Sequence, residues 1–430
     1  QRGGLDWFQV CETDQAAEVE APAALPVTGG KDGVPALEED GSLHMYWLDA
    51  FEDPYNAPGT VYLFGKVRSD DATGFSSCAV VVKGLERNVF VLPRERHLID
   101  GKEEGDEVTF VQVYQEMQQV CRTHKITRFG CKKVERAYAF EEPGMPAHAD
   151  YLKLVYSAEM AALPMDLEGK TFRKIFGSKT SCLERLLLKR KVMGPCWLKL
   201  DGVAAINSNT TWCKFEVGLT NKKAVSVLQD APPPPPLIVA SLHVQTVQNA
   251  KNQPEIVLAS VITHNRVSVD GATANQQALQ SFSVVRKLEQ RAWPWDLQRT
   301  VAANNKLKLE VCPSERALLN FLIAKLHNLD ADVLVGHNIA AYDMGVLLQR
   351  IQACKILHWS KVGRMRMRTM PKLNGGTSAF SSNTFAQWSV VAGRLMCDTF
   401  LSAQELLPSQ RSYALKELAY SHLHTTKVDV

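Results

Sequence analysis

The chain has 430 residues, 45% of them hydrophobic and 22% charged, which is too long for one ordinary core and fits two domains plus a tail. No apolar run approaches the roughly 20 residues that span a bilayer, and the start lacks the basic segment and apolar core of a secretory signal. The net charge of +3 is uneven: residues 1–40 hold nine acids against Arg2 and Lys31, a balance of −7, which leaves +10 on residues 41–430. A mildly basic body suits a polyanionic partner.

The ten cysteines are scattered, with no CxxC pair, and no histidine pair has zinc-finger spacing, so they read as buried thiols in a reducing compartment and not as zinc ligands. Gln1 in place of a methionine, and an end at Val430 without an obvious stop, read as cuts in a longer protein.

Residues 1–40 are acidic, rich in Ala, Pro and Gly, and without periodic pattern, which predicts a disordered tail. Trp7-Phe8 within it is either a short docking motif or a stray aromatic pair. Strands are expected at 44–50, 61–67, 78–82 and 89–92, then a helix at 110–123 from the spacing of Phe110, Val111, Tyr114, Met117 and Val120. Strands near 137–140 and 152–156 follow. A helix at 181–191 is capped by Ser181 with Glu184 as box partner. Strands at 196–200 and 212–217 close a mixed α+β domain over 41–230. Two loose basic clusters, Lys125 to Arg136 and Lys189-Arg190-Lys191, lie in it and are candidates for contact with template or duplex.

Pro232 to Pro236 form a stiff linker over 231–236. The next stretch, 237–245, reads as a buried strand opening a second domain over 237–430. Side chains alternate along a strand, so His243 and Gln245 share one face. Strands near 255–262 and 281–285 follow, and a helix opens at Pro313-Ser314-Glu315-Arg316. A short strand at 333–335 leads into Gly336-His337-Asn338, then a helix through Met344, Leu347, Leu348 and Ile351. A basic loop fills 359–372, Gly375-Gly376 marks a turn, and 394–398 is another strand. Three strands followed by alternating helices and strands is the order of a ribonuclease-H-like α/β domain. In the loop, Lys361, Arg364, Arg366, Arg368 and Lys372 are the leading nucleic-acid candidates. An extended backbone would point 364, 366 and 368 the same way toward phosphates, with Met365, Met367 and Met370 packing beneath. The alternative is a solvated loop.

Several stretches carry a family resemblance. They are Tyr46-Trp47-Leu48-Asp49-Ala50, the run Tyr151 to Met160, Gly194-Pro195-Cys196-Trp197-Leu198, Val335-Gly336-His337-Asn338-Ile339, His358 to Arg364, and Met370-Pro371-Lys372-Leu373. Together they resemble the alpha branch of the eukaryotic family B replicative DNA polymerases, collinearly from about 44 to 420. The resemblance implies the polymerase N-terminal domain followed by a 3′–5′ exonuclease-like domain, cut before the palm.

Active members of that family carry Asp-x-Glu on the first exonuclease strand. Two divalent ions about 3.5–4 Å apart need hard anionic oxygen ligands to activate water and stabilise the leaving oxygen. Aligned on Ser241-Leu242-His243-Val244-Gln245, the two carboxylate positions fall on His243 and Gln245, both poor partners for Mg²⁺. The second family motif matches Asn338 to Asp343 and keeps its acid, Asp343. The third has no convincing counterpart near Tyr413. The palm motifs are absent, and Asp398-Thr399-Phe400 only echoes one of them. Without a partner motif, His243 is either a soft-metal or phosphate ligand or a satisfied residue of core or surface. Gln245 is either a hydrogen-bonding contact or filler. Asp343 is either a relic metal ligand or a cap for the helix beginning near 342. His337 and Asn338 either contact nucleic acid or stabilise their loop.

The resemblance therefore implies a nucleic-acid-contacting scaffold from the front end of a polymerase that extends RNA primers, inactive by itself. It implies DNA and RNA–DNA primer–template as partners, with primase and other replication subunits reached through the parent, a nuclear location and no membrane. Mg²⁺ is expected for the parent polymerase, with no cofactor or metal in this stretch. An active 3′–5′ exonuclease and a protein-interaction module are the alternatives.

Overall fold

Runs of β-branched and aromatic residues build most of the first half, which the computed structural model describes as part of residues 35–69, 74–137, 144–206, 208–270, 279–288, 291–303, 308–371 and 389–426. Its elements are β1 (Leu43–Glu52), β2 (Val61–Arg68), β3 (Phe75–Val82), β4 (Glu86–Pro93), β5 (Arg96–Ile99), β6 (Lys102–Glu107), α1 (Phe110–Thr123) and β7 (Phe129–Ala137). There follow β8 (His148–Ser157), β9 (Phe172–Phe176), α2 (Cys182–Arg190), β10 (Cys196–Leu200), β11 (Ala204–Ala205), β12 (Phe215–Leu219) and β13 (Val225–Val227). Seven strands form one sheet in the order β11-β12-β3-β2-β1-β10-β13, and four form a second, β7-β8-β4-β9. All neighbours in the two are antiparallel except β12 and β3.

Helix α1 lays Val113, Met117 and Cys121 on Val89, Val91, Leu152 and Leu154 of the four-stranded sheet. It begins with a reciprocal capping box between Thr109 and Gln112. Helix α2 lays Cys182 and Leu186 on the larger sheet. Ser181 caps it as expected, accepting the Glu184 amide at 3.0 Å. The Cys182 and Leu183 amides donate to the Glu52 carboxylate of β1, at 3.1 and 2.8 Å, so a carboxylate from β1 serves the first turn of α2. The strand expected near 137–140 is β7, which ends at Ala137; its remainder falls outside the described residues. So do Trp7-Phe8, most of the acidic tail and Gly375-Gly376. The described cysteines are free thiols, with Cys78, Cys121, Cys182 and Cys312 buried.

The second half contains β14 (Leu237–Gln248), β15 (Pro254–Val267), β16 (Leu279–Arg286), α3 (Leu297–Ala303), β17 (Leu309–Cys312), α4 (Glu315–Leu329) and β18 (Val333–Gly336). It continues through α5 (Met344–Ala353), β19 (Leu395–Asp398), α6 (Thr399–Leu406) and α7 (Leu415–Leu423). The sheet order is β17-β16-β15-β14-β18-β19, antiparallel from β14 to β16 and parallel between β14, β18 and β19. This is the ribonuclease-H-like arrangement that the pattern predicted, with β14 at its centre. Leu318, Leu322 and Leu326 of α4, with Met344, Leu347 and Ile351 of α5, bury against Ala240, Leu242, Val244, Ile256 and Leu334. Each large side chain so buried contributes about 1.5–3 kcal/mol relative to exposure.

The proline run is docked, not free. Pro233 and Pro236 carbonyls accept from Trp197 Nε1 at 3.3 Å and Lys66 Nζ at 3.0 Å. Lys66 stands buried within β2 and reaches across to Asp332 Oδ2, 2.7 Å away. Asp332 Oδ1 accepts from Arg364 Nη2 at 2.9 Å, and Arg364 also donates to Asp330 Oδ1 and to the Gly393 carbonyl, each at 3.0 Å. Arg394 lies alongside, bonded to the Ala331 carbonyl and 3.5 Å from Asp330. Burial alone would raise Asp332, yet Arg364 and Lys66 hold its carboxyl below the usual range. Burial lowers Arg394 to about 10, with Arg364 adding to the effect, so it stays cationic at neutral pH.

Candidate functional site

On β14, Ala240, Leu242 and Val244 face the core while Ser241, His243 and Gln245 are exposed on the other face. Period-two alternation thus puts the two metal-carboxylate positions side by side on the outer face, as predicted, occupied by an imidazole and an amide. Their partners across the sheet are Ser260 and Leu258 of β15.

Asp343 is buried and does not cap α5, which corrects one of its two predicted roles. Its Oδ1 accepts the Val244 amide at 3.2 Å. The reason is topological: β18 pairs with β14 only along residues 239–241, so β14 runs on past the end of its parallel neighbour. The next amide on that edge needs an acceptor, and Asp343 supplies it. Asp332 does the same at the other end, taking the Ile238 amide on Oδ2 at 2.8 Å. Two carboxylates thus bracket one edge of β14. Beside Asp343, Tyr342 Oη lies 2.9 Å from Thr246 Oγ1 at the far end of the strand.

The loop after β18 is held by Asp398, which the sequence reading noted only as an echo of a palm motif. Its Oδ1 accepts the Asn338 and Phe400 amides, both at 2.9 Å, and its Oδ2 the Ala340 amide at 3.0 Å. Asn338 takes a left-handed conformation there, with φ +64°. An Asp at a strand end just before a helix is an N-cap pattern, and that signal would have found it. His337 serves the same loop, with Nδ1 3.1 Å from Thr399 Oγ1 and Nε2 2.9 Å from the Tyr413 carbonyl. His337 thus ties the loop to its neighbours, and Asn338 is held in it through its backbone amide.

This donor set does not fit a pair of hard divalent cations. Positions 243 and 245 offer no anionic oxygen, Asp398 already accepts three amides, and Asp343 accepts one from the strand itself. Among the described residues, no group of three or more His, Cys, Asp or Glu stands where it could hold a metal ion.

The basic segment behaves differently from an extended stripe. A short 3₁₀ turn, Trp359–Val362, carries Lys361, and residues 364–366 then pair with 210–212 through an antiparallel bridge at Thr211 and Met365. Period-two alternation does not sort the side chains here, since the neighbours Arg364 and Met365 are both buried while Arg366 is exposed. Arg364 turns inward to 1% exposure and is neutralised by Asp330 and Asp332, so it cannot grip phosphate, against the expectation for it. Burial opposes its charge, but the two aspartates raise its pKa above the ordinary arginine value. Arg366 and Arg368 face outward. Arg366 stacks its guanidinium 4.0 Å from the centroid of Trp212, and Lys361 Nζ lies 4.9 Å from the same ring. Arg366 Nε donates to the Thr211 carbonyl at 2.7 Å, which leaves its terminal nitrogens on the exposed side. Met365, Met367 and Met370 pack beneath, as expected. Lys372 lies outside the described residues.

Fold and donor positions together define a class. The model of the DNA polymerase family B exonuclease domain matches residues 173–418, and the chain belongs to that family. Its curated relatives include proteins named DNA polymerase alpha catalytic subunit. That of Xenopus laevis is 41% identical over 98% of this chain and 28% of its own length, and that of Mus musculus 40% over 94% and 27%. That of Arabidopsis thaliana is 37% identical over 92% and 28%. The chain thus spans little more than a quarter of the length of these relatives. The solved family B DNA polymerase of the archaeon Pyrobaculum calidifontis is similar at TM-score 0.44 and 13% identity, over 73% of this chain and 33% of that one. So loose a likeness adds nothing to the assignment. No helix among the described residues is long and apolar enough to cross a membrane.

Proposed function

We propose that this chain is a nucleic-acid-contacting scaffold within a replicative DNA polymerase of the alpha type, its exonuclease domain kept for shape and without its reaction. The observation that carries this is the outward-facing imidazole of His243 and amide of Gln245 on the strand where the family's chemistry needs carboxylates. The names of the curated relatives support a DNA polymerase alpha setting; extension of RNA primers with DNA in the nucleus, alongside primase and with Mg²⁺ in the parent polymerase, is part of the same proposal. Lys361 and Arg366 against Trp212, with the exposed Arg368 two residues on, supply cations of the kind that track the backbone of a single strand or a primer–template.

The test uses the purified chain and a 5′-labelled single strand. Binding that weakens steeply with salt and leaves the strand intact, with Mg²⁺ or Mn²⁺, is the expected result. Mn²⁺-dependent shortening that disappears in Asp343→Ala would make the domain a working exonuclease. Failure to bind in low salt would remove the nucleic-acid part of the reading.

A further inference from the structure

We propose that an open groove in the first half of the chain, between α2, the start of β4 and the turn at Lys222-Lys223, binds a terminal phosphate carried on an organic body. The residues of this groove lie apart from the segment assigned above to nucleic acid, so the two readings stand or fall separately.

Helical spacing builds it. Cys182, Arg185, Leu186, Lys189 and Arg190 fall at i, i+3, i+4, i+7 and i+8, one face of α2. Leu186 and Cys182 form an apolar floor with Leu85. Burial pushes the Cys182 thiol up to about 11, so it is neutral and belongs to that floor. Arg185, Lys189 and Arg190 from the helix, with Lys222 and Lys223 opposite, make a cationic rim.

The charges of that rim are answered from within only in part, since five cations share one carboxylate. Glu86 is the one carboxylate in the lining, and it is already engaged, 2.5 Å from Lys222 Nζ and 3.6 Å from Arg185 Nη2. Arg185 Nε is buried without a hydrogen-bond partner among the described residues. The neighbouring sheet adds to the excess. Lys132 of β7 stands directly opposite Lys153 of β8, a like-charge pair that opposes sheet stability. Partial burial, then Lys132, Arg185 and Arg136, lower Lys153, with Glu86 opposing. Partial burial, then Arg185, Lys153 and Lys222, lower Lys189 to about 8, again with Glu86 opposing. The structure therefore brings together two basic clusters that lie some fifty residues apart in sequence, on β7 and α2.

The dipole at the C-terminal end of α2 accounts for Lys189 and Arg190 but not for Arg185, Lys153, Lys222 and Lys223. A compact anion in the groove accounts for the rim cations that the single carboxylate of Glu86 leaves over. A phosphomonoester concentrates about 1.5–2 negative charges on three acceptor oxygens, which suits crowded guanidinium and ammonium donors. A peptide carboxylate spreads single charges along a chain. The apolar floor suits the sugar or base that carries the phosphate. A free nucleotide and the 5′ end of a DNA strand share this chemistry.

The experiment is titration calorimetry of the whole chain at matched ionic strength, with dAMP, deoxyadenosine, tetrathymidylate with and without a 5′-phosphate, and tetraglutamate. The expected result is binding that requires the phosphate. At pH 8.5, dAMP binding takes up a substantial fraction of a proton as Lys189 regains its charge, read from the dependence of the heat on the buffer. Lys189→Gln with Lys223→Gln, both exposed, weakens dAMP at least tenfold, whereas Arg366→Gln with Arg368→Gln leaves it unchanged. A 5′-phosphorylated tetranucleotide that binds tenfold tighter than dAMP identifies a DNA end as the source; the reverse order identifies a free nucleotide. Equal binding of dAMP and deoxyadenosine, or retention of affinity in the double lysine variant, overturns the proposal. So does tetraglutamate binding as tightly as the phosphates, which would assign the groove to an acidic partner.

Discussion

Lys66 and Asp332 lie 266 positions apart in sequence, yet their charged atoms sit 2.7 Å apart with both side chains almost wholly buried. The pair ties β2 of the first half to the residue that opens β18 in the second. A buried ion pair is not in itself strongly stabilising, because desolvation offsets the attraction, but removing one partner strands the other. Lys66→Met is therefore expected to destabilise the chain by about 3–5 kcal/mol, read from urea unfolding. A loss below about 1 kcal/mol would mean that Arg364 alone suffices for Asp332.

The acids of this seam respond to pH with opposite signs. Asp332 has a lowered pKa, so its contribution is present above the unfolded value of 3.8 and is lost as pH falls through the folded one. Asp49 accepts the Gly393 amide at 2.8 Å, but burial raises its carboxyl, so its contribution fades as pH climbs from 3.8 through the folded value. Unfolding measured from pH 3 to pH 7 should show Asp332→Asn most harmful at neutral pH and less so in acid. Asp49→Asn should instead improve relative to the parent as pH rises. Parallel curves for both variants and the parent would contradict the assignment.

Much of the second half was legible because its elements are long, strongly periodic and bounded by caps. Ser314 opens α4 where the Pro-Ser-Glu-Arg sequence predicts, and the central strand begins just after the prolines. The sequence places a strand at 137–140 and misses Phe129 to Arg136, because Phe-Gly-Cys-Lys-Lys-Val-Glu-Arg-Ala has little alternation and pairing with β8 decides it instead. The basic loop was misread at Arg364 because no local pattern reports a bridge to Thr211, some 150 residues upstream. Lys66 was the available clue: a lone lysine within Val-Tyr-Leu-Phe-Gly-Lys-Val needs a buried partner.

Arg364 and Arg366 are two residues apart and differ in kind. Arg364→Gln leaves Asp330 and Asp332 short of a cation and is expected to cost about 3–5 kcal/mol of stability, with DNA affinity falling only as folded protein is lost. Arg366→Gln with Arg368→Gln should leave unfolding within about 0.5 kcal/mol of the parent. That pair should lower the slope of log affinity against log salt on single strands by about 1.4, two contacts at roughly 0.7 each. Fluorescence anisotropy at four salt concentrations separates the two. An unchanged slope would remove Arg366 and Arg368 from the interface.

Gly393 joins the same seam through its backbone, donating to Asp49 and accepting from Arg364. Its φ of +88° is left-handed, and a Cβ there would stand 2.6 Å from Arg364 Cβ and 2.9 Å from Phe64 Cδ1. Neither neighbour has room to move, since both are fully buried. Gly393→Ala should therefore lose about 2–4 kcal/mol from backbone strain and overpacking together. Retention of parental stability would show that the seam is looser than its contacts indicate.

Asp343 separates structural from catalytic inheritance. As the acceptor of the Val244 amide, it should be costly to remove whether or not any metal is near. Asp343→Ala leaves that buried N–H unpaired and is expected to lose about 1–3 kcal/mol, whereas Asp343→Asn keeps an acceptor oxygen and loses less. Placing His243→Asp and Gln245→Glu in the parent puts two carboxylates on the outer face of β14. They should capture Mn²⁺ measurably by electron paramagnetic resonance. They should not restore strand shortening, because Asp398 remains committed to the amides of Asn338, Ala340 and Phe400. Cleavage by the double variant would mean that two carboxylates are all that separates this domain from an exonuclease. Loss of Mn²⁺ capture on adding Asp343→Ala would return Asp343 to the role of a ligand.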